Sequence, residues 1–210
     1  MVKTKIIELT GGAEDRTRIE EAARALVEGK LVVFPTETVY GIGCNASDRS
    51  AVKRLYEIKS RPGNKPLACY LSSRSAMFRY DVAITPVAEK LMERFWPGPL
   101  TMLLARRGSG GCVGFRFPDE ENALALIAAS GVPVVATSAN RSGGASPMSG
   151  EEAVRAMDGL ADVVLKGGVT RYREESTVVD LSGPTPRLVR EGVVTRDEIE
   201  AFLGCVCGTD

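Results

Sequence analysis

Residues 31–35, "LVVFP", and residues 132–138, "VPVVATS", carry apolar side chains at consecutive rather than alternate positions. Successive side chains of a strand point to opposite faces of its sheet, so a run that is apolar throughout needs cover on both sides. Helices able to give that cover are written between the strands. Ile19, Ala22, Ala23, Leu26 and Val27 recur at helical spacing until Gly29 supplies a stop, and Val52, Leu55 and Tyr56 share one helical face after Ser47 and Asp48. Thr85 sets an N-cap hydroxyl before Pro86 at the first helical position, with Val87, Leu91 and Phe95 as the buried stripe. "ENALALIAASG" is a further amphipathic helix ending at glycine, and Ser149 with Glu152 and Thr195 with Glu198 predict two capping boxes. "KIIEL", "PLACYL", "LTMLLA", "VGFRF", "DVVLKGG", "STVVDL" and "PRLVRE" read as strands. The expected fold class is α/β, a mixed and largely buried sheet flanked by helices, in a single domain over residues 1–210 with no dividing linker or repeat.

A composition of 44% hydrophobic and 26% charged residues is that of a globular chain. No apolar run approaches the ~18 residues of a membrane span, and "MVKTKIIELTGG" lacks the apolar stretch of a signal peptide. These features predict a cytoplasmic protein with no membrane partner. Five cysteines, an odd number at scattered positions, predict reduced thiols, and Cys205 with Cys207 lack the other ligands of a tetrahedral zinc. No metal held by the protein itself is expected.

The chain contains no histidine, which removes Ser-His-Asp and Cys-His triads, HExxH zinc sites and any imidazole base. Lys plus Arg and Asp plus Glu balance at 27 each, unlike a dedicated nucleic-acid binder. Any anion site must therefore be local. The strongest candidate is "KSRPGNKP", residues 59–66. Pro62 disfavours helical geometry at Arg61, so the preceding helix should end near Ile58 and leave Lys59 and Arg61 extended, pointing the same way. Arg61-Pro62-Gly63-Asn64 has proline and glycine where a type II turn wants them, which brings Lys65 back towards the pair. A polyanion between the three cations explains the cluster; a solvated loop is the other reading.

A second candidate is the end of "VPVVATSAN", where alternation puts the Ser138 hydroxyl and the Asn140 amide on one face at the carboxyl end of a buried strand. Known phosphate motifs do not account for either segment. No G-x-x-x-x-G-K-[ST] occurs, and "GIGCNA" lacks the acidic partner near position 66 that a ribose would need.

Six blocks, "FPTETVYGIGCNA", "LYEIKSRPGNKPL", "FWPGPLTMLL", "GFRFP", "VPVVATSANRSGGASP" and "ESTVVDL…LVREG", occur in the order seen in the YrdC family, the threonylcarbamoyl-adenylate synthases. The resemblance runs from about residue 5 to 203. It implies a YrdC-like domain with a concave basic cavity, and a nucleotidyltransferase that joins L-threonine, bicarbonate and ATP into threonylcarbamoyl-AMP with release of pyrophosphate. That product feeds the N6-threonylcarbamoyl (t6A) modification of adenosine 37 in tRNA, through t6A-transferase partner proteins. Longer relatives append another domain, and the single-domain form is expected here.

The family's K-x-R and S-x-N signatures fall on Lys59 with Arg61 and Ser138 with Asn140, which the resemblance makes the catalytic set. It places Thr38, Tyr70, Arg116, Ser138 and Ser176 around threonine, and Arg61, Lys65, Cys112, Asn140, Met148 and Arg190 around ATP. A Mg2+ ion is expected on the phosphates, held by their oxygens and by water. Relatives often carry histidine at position 70 and threonine at 112 and 148, so Tyr70, Cys112 and Met148 depart from the pattern. From the residues themselves, Arg116 suits a carboxylate because a guanidinium fork matches it in a bidentate way.

Two other functions are consistent with parts of the sequence. Residues 49–65 carry Arg49, Lys53, Arg54, Lys59, Arg61 and Lys65 against the single acid Glu57, a stripe that suits double-stranded RNA or tRNA. Carbamoyl transfer, as in the related domain of hydrogenase-maturation proteins, is the other.

Overall fold

The computed structural model describes residues 2–60, 66–108, 110–205 and 207–209. In chain order these residues form β1 (Lys5–Glu8), α1 (Asp15–Val27), β2 (Val32–Phe34), β3 (Gly41–Asn45), α2 (Arg49–Lys59) and β4 (Ala68–Tyr70). A 3-10 turn at Arg74–Arg79 leads to α3 (Pro86–Phe95), β5 (Leu100–Ala105), β6 (Cys112–Arg116), α4 (Glu121–Ser130) and β7 (Val134–Ser138). The remainder is α5 (Gly150–Met157), β8 (Val163–Lys166), β9 (Thr177–Asp180), β10 (Arg187–Arg190), α6 (Arg196–Leu203) and β11 (Gly208–Thr209). All these strands join one mixed sheet in the order β1-β8-β2-β3-β7-β4-β6-β5-β9-β10-β11.

The apolar runs are covered from both sides as their pattern demands, by different helices on the two faces. Val32 and Phe34 of β2, with Val163 and Leu165 of β8, pack with α1 and α4 through Ile19, Leu26, Leu126 and Ile127. Val33 and Val164, pointing the other way, pack with α2 and α5 through Leu55 and Met157. In the other half of the sheet, Cys69, Met102, Phe115 and Val179 face α3 and α6 through Leu91 and Ile199. The residues alternating with these, Ala68, Tyr70, Thr101, Leu103, Gly114 and Val178, line a cavity instead. Burying this half from one side only leaves a concave floor for a site.

Helix ends follow the sequence signals in most places. Thr85 accepts from Ala88 N, Gly131 closes α4 at φ 64°, and Thr195 with Glu198 makes a reciprocal capping box. The box expected at Ser149 is half formed: its hydroxyl accepts from Glu152 N, but the Glu152 carboxylate turns to Met148 N. Val27, which follows the helical spacing of α1, is 53% exposed although its neighbours Ala25 and Leu26 are buried. The helix before the cation cluster also runs longer than expected. Lys59 is still helical, and the chain leaves through Ser60 in the left-handed region (φ 48°, ψ 39°) rather than in an extended segment. Ser60 N–H closes that turn on Glu57 O, which holds Lys59 inside the helix and turns its side chain to the core.

Candidate functional site

A cavity of about 530 Å3 lies over the uncovered sheet face. Its floor is a row of small residues at paired positions: Ala136 opposite Ala68, Ala68 opposite Gly114, and Gly114 opposite Leu103. A Cβ at position 114 would stand 3.2 Å from Leu103 Cδ2 and 3.4 Å from Ala68 Cα, so glycine there keeps the floor low. Thr38, Tyr70, Ser138, Ser176 and Arg190, all expected around the substrates, stand in the wall. They come from five separate segments brought together by the strand order. Tyr70 packs edge-to-face on Phe34, and burial pushes its phenol above the ordinary range, so it presents a neutral hydroxyl.

At one rim, Lys59, Ser138 and Asn140 form a single hydrogen-bonded node. Lys59 Nζ donates to Ser138 O (2.6 Å) and to Asn140 Oδ1 (2.7 Å), and Ser138 Oγ donates to Asn140 Oδ1 (2.6 Å). Asn140 Nδ2 donates to Gly144 O, and Ser142 N–H to Lys59 O (2.9 Å), so the end of α2 and the loop after β7 are tied together. Lys59 is 2% exposed, so the solvated-loop reading does not apply to this member of the cluster. Arg61 and Lys65 lie outside the described residues, as does the turn expected at 61–64.

Arg116 is placed differently from a simple wall residue. Its neighbours across the sheet, Tyr70 and Thr101, line the cavity, yet Arg116 itself is 1% exposed and lies beneath the wall. Its Nη2 donates to Glu37 Oε1 at 2.6 Å and approaches Thr38 Oγ1 at 3.5 Å. The pair is one-armed: Arg116 Nε and Glu37 Oε2 are buried with no partner.

The opposite wall is a polar chain from β5 through Ser176, just before β9, to β10. Thr101 Oγ1 and Ser176 Oγ lie 3.0 Å apart, and Arg190 donates to Ser176 O (2.7 Å) and Ser176 Oγ (3.2 Å). Arg190 also pairs with Glu175, whose other oxygen accepts from Ser146 Oγ, fastening the loop after β7 to this wall. Cys112 follows the alternation of Gly114 and Arg116 but sits at the far end of the β5–β6 ladder, opposite Ala105, outside the described cavity wall. Met148 is exposed and also outside it. Glu37, Thr101 and Glu175 were not legible as site residues. Glu37 and Glu175 stand inside quoted blocks, but only the fold opposes them to Arg116 and Arg190.

The cationic stripe on α2 is less open than its sequence. Arg54 makes a two-armed pair with Asp162 (2.8 and 3.1 Å), Lys53 lies 3.7 Å from Glu57, and Lys59 is buried. Among the described residues, no three acidic or thiol side chains come together as a metal ligand set.

A family profile, Sua5–YciO–YrdC, described as "Telomere recombination", matches residues 24–192. The threonylcarbamoyl-AMP synthase of Pyrococcus abyssi is 43% identical over 202 residues, covering 90% of this chain and 59% of that protein. The structure of Pyrococcus abyssi Sua5 complexed with L-threonine superposes with a TM-score of 0.88 at 38% identity, over 99% of this chain and 62% of that one. Escherichia coli YciO superposes with a TM-score of 0.79 at 27% identity, over 92% and 97% of the two chains. The chain thus spans about three-fifths of the length of the curated relative it matches here and nearly all of YciO.

Proposed function

The chain belongs to the Sua5–YciO–YrdC family, and on that premise we propose that it is a threonylcarbamoyl-AMP synthase, forming the adenylate and pyrophosphate from L-threonine, bicarbonate and ATP. The single observation carrying this reading is the convergence of Thr38, Tyr70, Ser138, Ser176 and Arg190 on one cavity, with the Lys59–Ser138–Asn140 node at its rim.

The chemistry needs no side-chain nucleophile, which suits a chain without histidine. The threonine amine captures the carbon of bicarbonate with loss of water, and the resulting carbamate is already an anion at neutral pH. A carbamate oxygen attacks the α-phosphorus, the bond to the bridging oxygen breaks, and pyrophosphate leaves. What the protein supplies is placement of two anions that repel each other, with fixed donors where charge develops. In this reading Thr38, Ser138 and Ser176 orient the amino acid, Arg116 supports its carboxylate from beneath the wall, and Arg190 and the 59–65 segment take the triphosphate. Lys59 acts by holding Ser138 and Asn140 in place and adding positive charge at the rim. A Mg2+ ion bound with the nucleotide would enter as part of the substrate and would neutralise phosphate charge.

Incubation with Mg-ATP and bicarbonate, with and without L-threonine, tests the reading through pyrophosphate and adenylate. Threonine-dependent release is expected. Release that ignores threonine, or that requires carbamoyl phosphate, would reject it in favour of carbamoyl transfer. Binding of duplex RNA or tRNA is the weaker alternative, because Arg54 and Lys59 are engaged internally. Arg61→Ala is expected to abolish turnover with the fold intact.

A further inference from the structure

The guanidinium of Arg190 is oriented by Ser176, and one corner of it is left over. Its Nε and Nη2 donate to Ser176 O at 3.1 and 2.7 Å, and Nη2 also donates to Ser176 Oγ at 3.2 Å. These contacts fix the group without help from any acid. The remaining corner, Nη1, is taken by Glu175 Oε2. Arg190 and Glu175 both line the cavity, with side chains 42% and 31% exposed, so the pair stands at the cavity surface and an incoming anion can reach it.

The Glu175 carboxylate has a second partner, because its Oε1 accepts from Ser146 Oγ at 2.5 Å. Its main chain is held in place. Val193 N–H donates to Glu175 O, and a Cβ at Gly192 would overlap that oxygen. Release of Arg190 is therefore a rotation of the Glu175 side chain, which keeps a donor in Ser146 when it leaves. An ion pair this exposed is weak enough to be exchanged.

An anion with a single charged group gains little from that exchange. It replaces one charged contact at Nη1 with another of the same kind and then lies beside the Glu175 charge it has displaced. A polyphosphate anchored elsewhere in the cavity differs, because its first contacts raise the effective concentration of the next phosphate at Nη1.

The geometry points to Glu175 as a specificity-determining residue that occupies the Nη1 corner of Arg190 until a polyphosphate displaces it, and so keeps lone carboxylates and orthophosphate off that guanidinium. The inference rests on the assignment of Arg190 to the triphosphate. It gives the two anions of the reaction separate places, since the amino-acid carboxylate is turned away from Arg190 and left to the Arg116 side. Glu175 acts through Arg190, as a positioning residue.

Glu175→Gln tests this, since it keeps the shape of the side chain and an acceptor for Arg190 while removing the charge. Calorimetric titration of the full chain with Mg-ATP should show the variant binding about tenfold more tightly than the parent. Inorganic phosphate should displace ATP from the variant at about a tenfold lower concentration relative to its ATP affinity than from the parent. Adding Arg190→Gln should cancel both gains. A merely supporting role for Glu175 predicts weaker ATP binding in Glu175→Gln, and that outcome would overturn the proposal. Equal ATP affinity in parent and variant would also overturn it, while threonine-dependent pyrophosphate release by both would leave the synthase reading standing. Failure of parent and variant alike to bind ATP would overturn the two together.

Discussion

Glu37 Oε1 and Arg116 Nη2 meet at 2.6 Å beneath the wall of the 530 Å3 cavity, with side chains 0% and 1% exposed. The two residues lie 79 positions apart in sequence. One comes from the segment after β2 and the other from the end of β6. The contact gives the cavity a rigid underside and ties the guanidinium before any ligand arrives.

Removing one partner leaves the other charge buried and unpaired. Glu37→Ala should therefore destabilise the fold by about 3–5 kcal/mol, measured by urea denaturation. A double replacement of both residues by apolar side chains of similar size should recover most of that loss. A cost for Glu37→Ala below about 1 kcal/mol would mean that solvent reaches the pair.

Lys59 sets the geometry of the Ser138–Asn140 rim. Lys59→Met keeps the aliphatic stem but removes both donors, at Ser138 O and Asn140 Oδ1. Threonine-dependent pyrophosphate release should fall about a hundredfold, with far-UV circular dichroism unchanged. A rate within about twofold of the parent would show that neither the hold on Ser138 and Asn140 nor the charge at the rim matters to turnover.

Gly114 keeps the cavity floor low. Gly114→Val should raise the KM for threonine and reduce turnover, because the added methyls fill space between Ala68 and Leu103. Overpacking costs about 1–3 kcal/mol, so the thermal midpoint will drop moderately; an unchanged KM would place the amino acid elsewhere.

Tyr40 supplies a pH dependence. Its hydroxyl donates to Gly168 O and accepts from Gly167 N, and burial pushes its pKa up from 10.0 to about 12. Between those values the unfolded chain loses this proton while the folded chain keeps it, so stability is present below pH 10 and is lost as pH rises towards 12. The contribution is about 2–3 kcal/mol. Tyr40→Phe should remove that part of the alkaline decline, and an equally steep decline in the variant would assign it to other groups.

Local sequence determined which segments become strands and helices and which strands are buried on both faces. "LVVFP" and "VPVVATS" could be read that way because side-chain alternation is a property of a few consecutive residues. The capping box at Thr195 and the proline start of α3 were equally local. Their relations in space were not. Tyr70 and Arg116 became neighbours through a parallel pairing of β4 with β6, and Arg116 met Glu37 only once the segment after β2 crossed beneath the cavity wall. Lys59 shows the limit most directly. Pro62 and the cation spacing suggested an extended Lys59 pointing the same way as Arg61, whereas Lys59 is still helical before the left-handed turn at Ser60 and its ammonium meets Asn140. Such contacts depend on strand order and on which charges can be desolvated together, and both are settled only when the whole sheet closes.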